Sequence, residues 1–391
     1  MIARRLGTKL RALARRFPVV TVTGPRQSGK TTLCRALFPR HLYVSLEAPD
    51  TREYATEDPR GFLAELAKGA VIDEVQRAPA LLSYLQEEVD ARPRPGRFVL
   101  TGSANLGLLA GVSQTLAGRT GLLTLLPFSH DELRGFKNAP RDRESTLWSG
   151  AFPAVFDRRL PVSEWFSAYL ATYVERDVRQ ILNVSDLQSF QSFVRLCAGR
   201  AGQLVNLASL GSDCGITHNT ARSWLSVLEA SYVVLRVPPW YANLGKRLIK
   251  TPKIYFVDSG LLCALLGIRA AGQIAAHPLR GAIFENWVVT EILKARVHRA
   301  LPADLHFFRS RGGLEVDVVV DAGATLLAAE VKAGRTVAAD FFASLEELRS
   351  LIAASLSPRS LRMRLVYGGD TARQRKGVEV VPWSRVADTV W

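Results

Sequence analysis

The stretch Gly24-Pro-Arg-Gln-Ser-Gly-Lys-Thr31 decides the fold of this 391-residue chain. It matches the pattern G-x-x-x-x-G-K-[ST] at every fixed position. Residues 17–23 before it form a β-branched run typical of a buried strand, and residues 32–38 after it have helical spacing that ends at Pro39. A chance match is the alternative, but strand, loop and helix together are the context that phosphate binding requires. We therefore predict a nucleotide site.

The residue types of this loop suit phosphate chemistry. Glycines let the backbone curl so that its N–H groups point inward at phosphate oxygens. Lys30 has the reach for the β- and γ-phosphates, and the hydroxyl of Thr31 is a ligand for Mg²⁺. The predicted nucleotide-binding residues are Gly24, Pro25, Arg26, Gln27, Ser28, Gly29, Lys30, Thr31 and Thr32.

Two acids end a later apolar strand, Ala70-Val-Ile-Asp-Glu74. This is the Walker B arrangement, in which Asp73 holds Mg²⁺ and Glu74 polarises the attacking water as general base. An ordinary strand end is the alternative. The good P-loop upstream favours the catalytic interpretation.

Further catalytic candidates follow the next two strands. Ser103 and Asn105 come after the strand at 97–102, where a polar group either orients the lytic water or caps the loop. Arg119 precedes a strand at 122–126, and it is either an arginine finger or a surface arginine. As a finger it acts in cis or from a neighbouring subunit, and the second arrangement requires a homo-oligomer.

The charge of the chain indicates an anionic partner. The formal net charge is +15, from 51 basic and 36 acidic residues, and the first 46 residues contain no acid. Such an excess favours contact with DNA or RNA, while general arginine preference is the alternative. The basic start, residues 1–16, has an apolar stripe that includes Leu6 and Leu10. We expect it to pack on the ATPase core with a solvated basic face that includes Arg4; membrane-surface binding is a weaker option.

Cysteine usage and hydropathy predict a cytoplasmic protein without a membrane partner. No apolar run approaches the roughly 20 residues of a membrane span, and the first residues lack a secretory apolar stretch. The four cysteines lie far apart without a C-x-x-C pair, so we expect buried thiols in a reducing compartment.

The order of these motifs resembles that of a known family. The P-loop, the Asp-Glu strand, Thr101-Gly-Ser103 and Ala117-Gly-Arg119 together resemble bacterial and archaeal AAA-type ATPases with a C-terminal domain of unknown function, DUF4143. The resemblance covers essentially the whole chain, including the helical stretch Tyr173–Asp177. It implies ATP as the nucleotide and a parallel sheet in which the Asp-Glu strand is not adjacent to the P-loop strand.

Residues 201–274 predict a winged helix. A short helix near Leu207, a turn at 211–215, a helix capped by Thr217 and strands at 232–237 and 253–257 follow the order of that fold. The basic wing includes Arg236 and Lys253, and the predicted nucleic-acid contacts are Asn219, Arg222, Lys246, Arg247 and Lys250. Winged helices that bind protein or bridge domains are the alternative, so we give nucleic-acid binding even odds.

The last part of the chain resembles the PD-(D/E)xK nuclease fold. A helix at 281–297 precedes strands at 305–309, 314–320 and 325–332, and Val316 stands where that motif has proline. The resemblance implies a Mg²⁺ site on Glu285, Asp317 and Glu330, with Lys332 positioning or deprotonating water. A scaffold whose acids make local salt bridges is the alternative.

We therefore predict an α/β protein with four consecutive parts. These are a P-loop NTPase domain of the AAA/ASCE type with a parallel sheet (1–135), a helical linker or lid (136–200), a winged helix (201–274) and a PD-(D/E)xK restriction-endonuclease-like α/β domain (275–391). The leading hypothesis is a hydrolase that needs ATP and Mg²⁺ and couples its cycle to a DNA-binding winged helix and the nuclease-like domain. The alternatives are a nucleotide-gated DNA-binding regulator with little turnover and an ATP-dependent DNA nuclease; a protein partner also fits.

Overall fold

The computed structural model describes residues 2–103, 112, 114–172, 186–240, 251–354 and 359–391. Of the predicted residues, Asn105, Lys246, Arg247, Lys250 and the stretch 173–177 lie outside these ranges. The described chain packs into two compact units. The first comprises residues 1–128, 230–232 and 297–301, and the second comprises 129–229, 233–296 and 302–391. None of the helices in the described ranges is long and apolar enough to cross a membrane.

The first unit is a three-layer α/β fold on a parallel sheet. The strand order is β2-β3-β4-β1-β5, so β4 separates the Asp-Glu strand β3 from the P-loop strand β1, as the family resemblance implies. β1, β3 and β4 are buried throughout, as expected of strands covered on both faces. The elements are α1 (Leu6–Ala14), β1 (Val19–Thr23), α2 (Lys30–Leu37), β2 (Leu42–Ser45), α3 (Pro49–Glu57), α4 (Pro59–Glu65), β3 (Ala70–Asp73), α5 (Leu81–Ala91), β4 (Phe98–Thr101) and β5 (Thr120–Thr124).

The leading helix α1 packs on the core of this unit. Leu6 and Leu10 are fully buried, one turn apart on the same face, and they join a cluster with residues of β1 and α2. The expectation that all of its basic residues are solvated is wrong for Arg4. This side chain is buried and donates to the carbonyls of Ser28 (2.9 Å) and Leu126 (2.6 Å), because both loops leave carbonyls facing inward.

The second unit begins with a helical region and a two-stranded antiparallel sheet. Thr217 accepts a bond from the Thr220 N–H at 3.1 Å, which caps the helix at 218 as predicted. The preceding helix ends at Gly215 (φ +67°), later than expected, because Cys214 is still buried in its apolar face. The elements are α6 (His130–Leu133), α7 (Arg143–Ser149), α8 (Pro153–Asp157), α9 (Val162–Tyr169), α10 (Leu187–Gly199), α11 (Leu207–Cys214), α12 (His218–Ala230), β6 (Val234–Val237), β7 (Lys253–Phe256), α13 (Ser259–Leu265) and α14 (Arg280–Val297).

A six-stranded mixed sheet completes this unit, with the order β12-β13-β11-β10-β9-β8. β9 and β10 form a hairpin whose tight turn uses Gly323 at φ +76°. The helix α15 connects β10 to its parallel neighbour β11 and buries Leu345 and Leu348 against the sheet. The elements are β8 (Leu305–Arg309), β9 (Glu315–Ala322), β10 (Thr325–Lys332), α15 (Ala343–Ala353), β11 (Ser360–Tyr367), β12 (Arg373–Arg375) and β13 (Val378–Pro382).

Buried polar contacts explain why the predicted parts after residue 135 pack as one unit. The side chain of Asn286 on α14 accepts from the N–H of Phe256 (2.6 Å) and donates to its carbonyl (2.9 Å), which joins α14 to β7. The carboxylate of Asp258 caps α13 and also accepts from the N–H of Ala151 at 2.8 Å. Groups from all three predicted parts therefore satisfy one another.

Candidate active site

The loop between β1 and α2 has the backbone geometry of a phosphate cradle. Gly24 has φ +142°, and a Cβ at this position would lie 2.2 Å from the carbonyl oxygen of Leu125. Gly29 has φ +93° at the start of α2, and Gln27 also has a positive φ of 61°. These left-handed residues wrap the loop around the N-terminus of α2, where unpaired N–H groups and the helix dipole favour an anion.

Lys30 is 5% exposed and bends back onto its own loop. Its Nζ donates to the carbonyl of Gly24 at 3.0 Å and to that of Pro25 at 2.8 Å. Burial lowers the pKa of the ammonium to about 8, against the attraction of Glu74 and Asp73. Phosphate oxygens would be stronger acceptors for this group than the two carbonyls that it contacts.

Asp73 collects three hydroxyl groups at the end of β3. Its carboxylate accepts from Thr31 Oγ1 at 2.9 Å, from the Tyr43 hydroxyl at 3.0 Å and from Thr101 Oγ1. The structure thus brings together Thr31 and Asp73, the two predicted ligands of Mg²⁺. Tyr43 and Thr101 were not predicted; their signal was a polar group near the carboxyl end of each strand next to β3. Burial and the charge of Asp73 raise the pKa of Tyr43.

The residues present fit a nucleotide with Mg²⁺. Thr31 and Asp73 offer the oxygen ligands that this ion prefers, and Lys30 offers a cation. Within the ranges that the structure describes, the buried Oγ of Ser28 has no hydrogen-bond partner. An orphaned donor inside the loop is what a phosphate-binding cradle requires.

Glu74 and Ser103 meet beside this cradle. Ser103 Oγ lies 3.3 Å from Glu74 Oε2, and the amide Nε2 of Gln76 donates both to that carboxylate oxygen and to Ser103 Oγ (3.0 Å). Glu74 has φ +55°, an uncommon conformation that aims its side chain out of the strand line. Gln76 was missed by the sequence reasoning; its signal was its position two residues after the predicted base, on the short 3-10 helix Val75–Arg77.

Arg119 lies at the opposite edge of the sheet from the cradle, which contradicts a role as arginine finger in cis. β5 runs parallel to β1, and the carbonyl of Arg119 accepts from the N–H of Val19, the first residue of β1. The five-residue strand spans roughly 16 Å between this edge and the loop. The guanidinium instead makes a bidentate pair with Asp90, at 2.6 and 2.7 Å. A role in trans stays a prediction.

The helix α12 presents the predicted polar face. Asn219 and Arg222 are exposed, while Ala221, Trp224 and Leu225 are buried. Two members of the expected basic wing do not belong to it. Lys253 is buried, and Arg236 donates to Glu229 at 2.7 Å, because each has acidic neighbours that the local sequence does not reveal.

The predicted C-terminal carboxylates converge but do not form a metal centre. Lys253 Nζ lies 3.1 Å from Glu285 and 3.7 Å from Asp317, and Lys332 Nζ donates to Glu330 at 2.6 Å. No group of three or more His, Cys, Asp and Glu side chains in the described ranges is spaced to hold a metal ion. The donor set does not fit Mg²⁺, because lysines occupy the carboxylates. Burial and the charge of Asp317 raise the pKa of Glu285 and of Glu330 to about 7.

A parallel sheet with this order, a glycine loop after its central strand and an acid pair one strand removed define a P-loop NTPase of the AAA type. Three family models match the chain: "AAA domain" over residues 16–134, "Domain of unknown function (DUF8612)" over 141–272 and "Domain of unknown function (DUF4143)" over 280–386. The chain belongs to the family of AAA-type P-loop ATPases that carry a C-terminal DUF4143 domain.

Relatives span nearly the whole chain. The uncharacterized proteins Rv2008c of Mycobacterium tuberculosis and Mb2031c of Mycobacterium bovis are each 32% identical over 377 residues, which cover 95% of this chain and 81% of theirs. Among solved structures, the Walker-type ATPase PABY2304 of Pyrococcus abyssi is similar, with 14% identity, a TM-score of 0.46 and coverage of 68% of this chain and 96% of that one. AMPPCP-bound DnaA from Aquifex aeolicus is also similar, with 15% identity, a TM-score of 0.29 and coverage of 57% and 85%.

Proposed function

We propose that the protein hydrolyses ATP with the help of Mg²⁺. The observation that carries this proposal is the convergence of Thr31, Asp73 and Glu74 beside a loop that is shaped for phosphate. Thr31 and Asp73 would hold the ion, whose charge, when bound, offsets that of the phosphates. Lys30 would exchange its two carbonyl contacts for phosphate oxygens. Electrostatic stabilisation of this kind supplies most of the catalysis in phosphoryl transfer.

Glu74 is the general base of the proposed reaction. Its carboxylate takes a proton from the attacking water while the bond between the γ-phosphorus and the ADP oxygen breaks. Gln76 and Ser103 hold the carboxylate through their hydrogen bonds and thereby limit its rotamers. Hydrolysis of ATP by the purified chain in Mg²⁺, and its loss in Lys30→Ala, tests the assignment of the site.

We further propose that the nucleotide cycle is coupled to DNA through a winged helix formed by α11, α12 and the β6–β7 pair. The net charge of +15 and the exposed Asn219 and Arg222 on α12 support it. In this proposal α12 enters a groove of the duplex, and ATP turnover changes its affinity for DNA. The buried free thiols of all four cysteines support a cytoplasmic location.

The test compares ATP turnover with and without double- and single-stranded DNA, for the native chain and for Arg222→Ala. Arg362→Ala, an exposed arginine on β11, is the matched control for loss of one positive charge. Stimulation that Arg222→Ala weakens and Arg362→Ala leaves intact supports coupling. DNA binding that ATP modulates without turnover favours the regulator hypothesis. If DNA neither binds nor alters turnover, the proposal is overturned in favour of a protein partner.

A further inference from the structure

Lys253, the first residue of β7, carries a buried charge among carboxylates. The side chain is 2% exposed. Its Nζ lies 2.5 Å from Glu315 Oε1, 3.1 Å from Glu285 Oε1 and 3.7 Å from Asp317 Oδ1. A buried ammonium is tolerated only when nearby anions compensate its lost hydration, and here three of them do so.

The position of this ammonium is the place where the carboxylates converge. Glu285 comes from α14, whereas Glu315 and Asp317 come from alternate positions of β9 and therefore share one face of the sheet. Glu285 also accepts a hydrogen bond from Tyr255 at 2.6 Å, two residues along β7 from Lys253. β7 thus contributes both the cation and a hydroxyl donor to the cluster.

The remaining carboxylate oxygens are also occupied by groups of the protein. Asp317 Oδ2 accepts from the N–H of Val331 at 2.8 Å. Glu330 accepts from Lys332 Nζ at 2.6 Å and from Ser344 Oγ at 2.8 Å. A divalent ion would have to displace these donors and would lie beside a buried positive charge. Both requirements oppose its binding.

We propose that the ammonium of Lys253 is the resident cation of this cluster and takes the place of a divalent metal ion. The cluster is then a structural junction that ties β7 to α14 and β9, and it is not a site of phosphodiester cleavage. This inference does not depend on the proposed ATPase activity, because it concerns a different site.

The charges of the cluster predict what happens when the lysine is removed. Glu285, Glu315, Asp317 and Glu330 supply four negative groups, against the positive groups of Lys253, Lys332 and Arg309, the last of which lies 3.1 Å from Glu315. Lys253→Ser deletes the cation and opens space between carboxylates. The variant is expected to lose stability and to acquire a divalent-cation site from the same acids.

The experiment measures Mn²⁺ binding by electron paramagnetic resonance, and thermal unfolding with and without Mg²⁺, in the full chain without nucleotide. All variants carry Asp73→Asn, which removes the acid ligand at the P-loop. The parent is expected to show no saturable site below about 1 mM Mn²⁺. Lys253→Ser is expected to bind one Mn²⁺ at least about tenfold more tightly and to recover part of its lost thermal stability when the cation is added.

Matched variants keep the proposal falsifiable. Lys332→Ser, the more exposed lysine of the same cluster, should gain no comparable site because Lys253 remains. The proposal is overturned if the parent binds one Mn²⁺ below that concentration and Asp317→Asn abolishes the binding, a result that does not require Lys253→Ser to fold. It is also overturned if folded Lys253→Ser binds no Mn²⁺.

Discussion

Replacement of the proposed general base, Glu74→Gln, is the sharpest test of the active site. The substitution removes the proton acceptor and the charge while keeping the length of the side chain. In the structure the carboxylate accepts from the amide of Gln76 and from Ser103 Oγ, and an amide oxygen accepts from the same groups. The fold and the position of the side chain should therefore survive the change.

The expected magnitude follows from the role. A positioned general base contributes about 10²- to 10⁴-fold to the rate, so turnover should fall by that factor, or about 3–5 kcal/mol in the activation barrier. Lys30, Thr31 and Asp73 are unchanged, and these residues make the proposed contacts with the phosphates and Mg²⁺. The dissociation constant for Mg²⁺-ATP should accordingly stay within about threefold of the native value.

The assay combines single-turnover release of phosphate with equilibrium binding of a fluorescent ATP analogue. Glu47→Gln is the matched control, because its carboxylate is solvent-exposed and pairs with Arg77 at 3.0 Å, next to the same 3-10 helix. Its turnover should stay within about twofold of native. Turnover of Glu74→Gln within about threefold of native would refute the assignment of the base. A loss of binding as large as the loss of turnover would show that Glu74 binds nucleotide instead.

Three further predictions concern other residues. Thr31→Val keeps the β-branched shape but loses the hydroxyl that now bonds Asp73 at 2.9 Å, so ATP binding in Mg²⁺ should weaken by about tenfold or more while binding in EDTA is unchanged; calorimetric titrations check this, and equal weakening in both would contradict it. Arg119→Ala should leave turnover unchanged in dilute, monomeric protein, because the residue lies at the far edge of the sheet; a loss that is independent of protein concentration would refute this placement. Burial lowers the pKa of His130 to about 4, against about 6.5 when unfolded, so the native state binds fewer protons between these pH values and its stability falls as pH decreases from 6.5 to 4, by up to about 3 kcal/mol. Urea unfolding at pH 7 and pH 4.5 should show a smaller decrease for His130→Phe than for the native chain, and equal decreases would exclude the contribution of this imidazole.

Much of the first unit follows from local pattern. β-branched runs, glycine positions and the Asp-Glu strand end predicted the strands of the parallel sheet to within two residues, and Thr325–Lys332 begins and ends as predicted. These features are local because side-chain periodicity and left-handed glycines act within a few residues. Arg119 was also within reach. A residue just before a strand parallel to β1 must lie at the edge opposite the P-loop.

The sequence by itself determined the phosphate loop, the acid pair and the nature of the sheet, because those depend on residue types at fixed spacing. The tertiary structure alone decided the fate of individual charges. Arg4 and Lys253 read as solvated basic residues, yet both are buried, since partners at residues 126 and 315 lie far away along the chain. A charge is stable inside a protein only where distant groups converge to compensate it, and that convergence exists only after the chain has folded.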